Sequence, residues 1–170
     1  WIISLAMFIY FPEYRGFGQG YLDYEKGRLD PFMYSHGYDP LVLLNYSRII
    51  QTFLLLILFL VLYYLLQRFL PKLVAVFILV FAAFDPFFLS QTRLMNHEGM
   101  VSLFVLVSLA AFAVYLFKDR KLLFLVLSGS AAAFAQLSKS SAIAMLAALG
   151  VMLLVQIFQD KKLGWGKAIL

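Results

Sequence analysis

The sequence predicts an all-α membrane protein, a polytopic helical bundle, and three observations carry that prediction. Of 170 residues, 64% are hydrophobic and 14% are charged, where an average soluble domain carries about 25% charged residues. Mean hydropathy is +0.89. The apolar residues fall into runs near the ~20 residues that a helix needs to cross the hydrocarbon core of a bilayer. Each run is apolar around its whole circumference, as a lipid-embedded helix is, with no polar stripe. The 18 Phe and 10 Tyr also exclude a disordered chain.

The elements follow in chain order. Residues 1–11 form an apolar run too short to span and unlike a signal peptide, and read as a truncated first span. Residues 12–48 are the longest polar stretch, with eight aromatics and five glycines, too long for a simple connector. Short helices lying on the membrane surface are expected there, one of them near Tyr21–Arg28. Five complete spans follow at 49–66, 73–89, 100–117, 122–138 and 141–158, bounded by charge or proline. Residues 159–170 are basic and contain Trp165, as a cytoplasmic or interfacial end does. The whole reads as one transmembrane domain of a larger protein.

Basic residues near span ends set the orientation. One side holds Arg68, Lys72, Lys118, Arg120, Lys121, Lys161, Lys162 and Lys167, with two acids, Asp119 and Asp160. That side is expected to be cytoplasmic. The other side holds six basic residues and seven acids: Glu13, Asp23, Glu25, Asp30, Asp39, Asp85 and Glu98. The polar work is therefore expected on the outer face. With no cysteine, any chemistry must come from oxygen and nitrogen groups. The net charge of +5 is spread singly or in threes between apolar runs, which argues against nucleic acid as a partner.

Within the second outer loop, Asp85 precedes Pro86, a placement that caps or kinks a span end. Arg93 and His97 are four residues apart and would share a helical face, so Arg93, His97 and Glu98 fit either a salt-bridged lid or an anion site. The small residues from Gly129 to Ala135 favour close helix packing. Lys139 ends its span on the outer side, where it either snorkels or binds phosphate, with Ser138, Ser140 and Ser141 as extra hydroxyls or as turn formers. No ionisable group sits at mid-depth in any span, which weighs against an ion or proton transporter. A non-catalytic bundle or a transporter fragment remains the alternative. No cofactor is assigned, although Glu13, Asp85 and Glu98 could hold a divalent cation if the fold gathered them.

Asp85-Pro86-Phe87, then Gln91-Thr92-Arg93, then Glu98 resembles the second outer loop of the protein O-mannosyltransferase-like, C-type membrane glycosyltransferases. The stretch Leu127-Ser128-Gly129 through Gln136-Leu137-Ser138-Lys139-Ser140 resembles that family's glycine, small-residue run and Leu-Thr-Lys signature. Tyr38-Asp39-Pro40-Leu41 stands where the family often has His-Pro-Pro-Leu. The resemblance implies transfer of a sugar, with inversion, from a polyprenyl-phosphate donor to a protein or glycolipid acceptor on the outer face. It implies that Glu13 is the general base, in place of the family's usual Asp-Glu pair, with Asp23, Glu25 and Asp85 as fallback acids. Glu98 stands where the family commonly has Asp. Attack at an anomeric carbon also needs cations for the departing lipid phosphate, and Arg93 and Lys139 are the candidates. His97 either donates to the substrates or caps the loop.

Overall fold

The computed structural model describes residues 2–12, 33–94 and 97–159. They include seven α-helices described over their whole length: α1 (Ile2–Tyr10), α2 (Pro40–Leu66), α3 (Lys72–Ala83), α4 (Pro86–Arg93), α5 (His97–Phe117), α6 (Leu122–Ser138) and α7 (Ala144–Gln159), with a 3-10 turn at Ser140–Ile143. There is no strand among the described residues. The fold is an all-α membrane bundle. Helix is what hydrocarbon permits, because every backbone N–H and C=O must find its partner inside the segment.

Among the described residues, three helical segments are long and apolar enough to cross a membrane: Pro40–Leu66, His97–Phe117 and Ser140–Phe158. The pair α3 and α4 makes a fourth if it is counted as one span, bent by 55° at its break. At 17 residues, α6 is about 26 Å long, slightly less than the ~30 Å hydrocarbon core.

The chain divides into two compact units, Trp1–Leu54 and Leu55–Leu170, and the division falls inside α2. In the first unit, Ala6, Met7, Phe11, Met33 and Leu43 form a buried core, with Tyr10, Tyr38 and Ile50 packed against it. Gly37, at φ 79°, makes the turn that brings Tyr38 back. Tyr38 then packs on Phe11 with the rings tilted and their centroids 4.3 Å apart, and meets Tyr10 edge-on at 5.4 Å.

In this unit α2 begins at Pro40, nine residues before the expected span start, so the stretch 12–48 is not loop throughout. The cause is local. The Asp39 carboxylate accepts the Leu41 N–H at 2.9 Å, and proline at a first helical position gives up a donor that has no intrahelical partner anyway. Burial of Leu43 and Ser47 then holds the extra turns against the core.

In the second unit, α5 packs most extensively against α6 and also against α4 and α7. Contacts step along the pair in opposite senses, with Ser108 against Ser128 and Phe104 stacked on Phe134. The two helices are therefore antiparallel, as their four-residue turn requires. The buried face of α6 is Phe124, Ser128, Ala131 and Ala135, one residue per turn at helical spacing. The packing role expected of the small-residue run is thus carried by Ser128, Ala131 and Ala135, whereas Gly129 faces outward and a Cβ there would meet nothing within 4 Å.

The expected continuous span 73–89 is broken at Phe84 and Asp85. Residues before proline avoid the helical region, and Asp85 takes φ −59°, ψ 125°. Its carboxylate accepts the Phe88 N–H at 2.8 Å, so Asp85 is the N-cap of α4 with Pro86 in the first turn. Both expected roles, cap and kink, are present. Phe88 meets Phe59 of α2 edge-on at 5.7 Å, and Gly99 admits α4 against α5.

A Cβ on Gly99 would lie 2.6 Å from Thr92 Cγ2, and Thr92 cannot easily rotate away because its hydroxyl donates to the Phe88 and Leu89 carbonyls. Gly99→Ala should therefore destabilise the unit by about 1–3 kcal/mol, the usual cost of overpacking. Thermal unfolding of the purified protein in detergent checks this, with Gly129→Ala as a near-neutral comparison.

Candidate functional site

Two helix junctions meet at one end of the second unit. The first is the passage from α4 to α5. Helix α4 ends at Arg93, and Leu94 closes it by donating its N–H to the Ser90 carbonyl. His97 then opens α5, with Glu98 in the first turn, where a carboxylate is favoured by the helix dipole. Arg93 and His97 consequently lie on two helices, and the shared helical face expected from their spacing does not form. Helix α4 is closed off before that spacing can act.

The second junction is the passage from α6 to α7. Lys139 is the C-cap of α6, with an extended backbone at φ −156°, ψ 129°. Its N–H donates to Ala135, and its carbonyl accepts from Ala142 to start the 3-10 turn. This extended residue turns its side chain out of the helix path. Ser138 donates its hydroxyl back to the Phe134 carbonyl at 2.8 Å, whereas Ser140 and Ser141 are exposed beside the lysine.

The structure joins the two junctions through one contact: the Lys139 ammonium donates to Glu98 Oε1 as a hydrogen-bonded ion pair. The two side chains are 41% and 39% exposed. Glu98 is thus bound not by Arg93 of its own loop but by a cation 41 residues further on. Arg93 and His97 are exposed and pair with no described residue. The acid of the loop is therefore paired with Lys139, and Arg93 and His97 take no part in that pair.

Of the other candidates, Asp85 is committed to capping α4. Glu13, Asp23 and Glu25 lie outside the described residues. Among the described residues, no three His, Asp or Glu side chains gather as metal ligands. Gln136, one turn before Lys139, was not a sequence candidate, yet its Nε2 is buried with no hydrogen-bond partner in the described structure. A glutamine inside an apolar span was the signal that could have marked it. Separately, α2 and α3 enclose an apolar groove of about 440 Å³ lined by Leu56, Phe59, Tyr63, Leu79 and Phe84 among others.

This arrangement can hold an anion. The ammonium of Lys139 is kept in place by one carboxylate oxygen while it stays accessible, and a phosphate can take its remaining donors. As a half-exposed pair it adds little to stability, about 0–1 kcal/mol. Glu98→Ala should therefore leave the unfolding temperature within a degree or two of wild type, as a differential scan in detergent would show. A drop of many degrees would make the pair structural.

The sequence matches the family described as dolichyl-phosphate-mannose-protein mannosyltransferase over residues 45–169. No curated protein and no solved structure matches it. The match begins inside α2 and takes in α3 through α7, together with both junctions of the Glu98–Lys139 contact. The chain belongs to the dolichyl-phosphate-mannose-protein mannosyltransferase family, and its membrane bundle is that of a glycosyltransferase of the mannosyltransferase kind.

Proposed function

We propose that the protein transfers a sugar, with inversion, from a polyprenyl-phosphate donor to a hydroxyl of a protein or glycolipid acceptor at the outer face of the membrane. The single observation that carries the reading is the Glu98–Lys139 contact, which sets an accessible cation at one end of the bundle in a chain of this family. Glu13 is the general base: it takes the proton from the acceptor hydroxyl as that oxygen bonds to the anomeric carbon. The anomeric C–O bond to phosphate breaks, and its electron pair leaves on the phosphate oxygen of the polyprenyl phosphate. Lys139 and Arg93 stabilise the charge that develops there. Fixed cations aimed at a departing phosphate are the usual means of lowering such a barrier.

The remaining candidates take supporting parts. Glu98 orients the Lys139 ammonium, and His97 stands close enough in sequence to donate to donor or acceptor. The apolar groove between α2 and α3 suits the polyprenyl tail, because its lining is aliphatic and aromatic, with Tyr63 its one hydroxyl-bearing side chain. Its last lining residue, Phe84, adjoins the break that leads to α4 and Arg93.

Transfer from polyprenyl-phosphate sugar is measured with the full-length protein in membranes. Glu13→Gln should lower turnover by about 10²–10⁴-fold, the usual contribution of a general base. Arg93→Ala and Lys139→Ala should lower it by about 10²–10³-fold, as loss of one electrostatic contact does. Asp23→Asn should retain activity. Persistent transfer by the Glu13 variant would place the base elsewhere.

Sidedness has its own test, because residues 1–170 contain no cysteine and any cysteine elsewhere in the full-length protein can first be replaced by serine. On intact cells, a membrane-impermeant maleimide should label Ser141→Cys and spare Arg120→Cys. The reverse pattern would put the Lys139 end inside.

A further inference from the structure

The opposite end of the second unit carries a second charged cluster that the transfer reading does not use. It forms where the turn between α2 and α3 meets the turn between α5 and α6. The Arg68 guanidinium lies 4.8 Å from the Tyr64 ring centroid and 5.7 Å from that of Phe124 at the start of α6. Arg68 also donates to the Tyr64 hydroxyl. Reciprocally, the Lys118 ammonium lies 5.3 Å from the Phe69 ring in the first turn. Each turn thus sends a cation onto an aromatic ring held by the other, which fixes the two turns side by side.

Aromatic faces hold a cation without neutralising it. Lys72, the first residue of α3, and Arg120 and Lys121 of the second turn join Arg68 and Lys118, and Asp119 is the one acid in these two turns. Asp119 is already paired with Lys121, at 2.9 Å. Two helix C-termini and two helix N-termini also meet here, so their dipole ends largely cancel and the side chains set the field. Immediately beside these cations, Phe69, Phe117, Leu122 and Leu123 are exposed. A band of cations over an exposed apolar band matches a molecule with an anionic phosphate head and hydrocarbon chains.

We propose that the Arg68 end of the bundle is a binding site for an anionic phospholipid. Its phosphate lies between Arg68 and Lys118, and its acyl chains lie against Phe117 and Leu122. Basic pockets between membrane helices recognise anionic headgroups in this way. Phosphatidylcholine, whose ammonium group cancels its phosphate, fits the cluster poorly. The proposal is independent of the transfer reading, because it involves none of the residues given to catalysis.

The full-length protein, purified in mild detergent, is titrated with phosphatidylglycerol, phosphatidylcholine or inorganic phosphate and the adducts are counted by native mass spectrometry. Phosphatidylglycerol should be retained in preference to both of the others. Each cation removed should weaken it about fivefold, the equivalent of about 1 kcal/mol per basic residue, so that Arg68→Gln with Lys118→Gln loses about twenty-five-fold. Arg68→Lys, which keeps the charge, should bind nearly as wild type and so separates lost charge from lost folding. Gly129→Ala, where an added Cβ meets nothing within 4 Å, should leave phosphatidylglycerol binding unchanged. Equal retention of phosphatidylcholine, equal binding of free phosphate, or a double variant that binds like wild type would each overturn the assignment.

Discussion

The antiparallel contact between α5 and α6 is the interaction on which the rest of the second unit depends. In lipid, apolar side chains gain little by leaving one hydrocarbon environment for another, so close packing and interhelical hydrogen bonds must hold helices together. Ser108 and Ser128 supply both. They are buried opposite each other with their hydroxyls 3.3 Å apart, and their small size lets the helices approach. Ala111, Ala131 and Ala135 extend the same small-residue seam, and Phe104 on Phe134 closes it toward Lys139. Because the seam fixes the register, Glu98 and Lys139 arrive at the same end and Lys118 and Lys121 at the other.

That register separates two kinds of charged end. At one, a cation is held by a carboxylate and stays accessible, as the Glu98–Lys139 pair shows. At the other, cations are held by aromatic rings, and among the described residues Asp119 is the carboxylate that competes, through Lys121. The difference has a chemical consequence. A carboxylate clamp fixes a single ammonium in position for one defined anion, whereas ring-held cations keep an open positive field suited to a headgroup. The broken helix α3–α4 adds to the first end, since its N-cap at Asp85 turns α4 toward α5 and Gly99 admits it. Without that break, Arg93 would continue along the axis of α3.

The sequence by itself determined the membrane class and the helical character, because these depend on local composition: apolar run length, charge at run ends and proline position. It also marked Asp85 as a cap and Glu98 and Lys139 as residues of interest. Asp39-Pro40 carried the same helix-start signal as Asp85-Pro86, but its aromatic and glycine-rich surroundings masked it, and the early start of α2 was missed. Only the tertiary structure decided which charges meet. A pairing across 41 residues depends on the register of two packed helices, and register is set by the size and placement of Ser108, Ser128 and the alanines acting together. Spacing along one chain cannot supply it, which is why Arg93 and His97 looked like neighbours on one face while Glu98 found its partner on another helix.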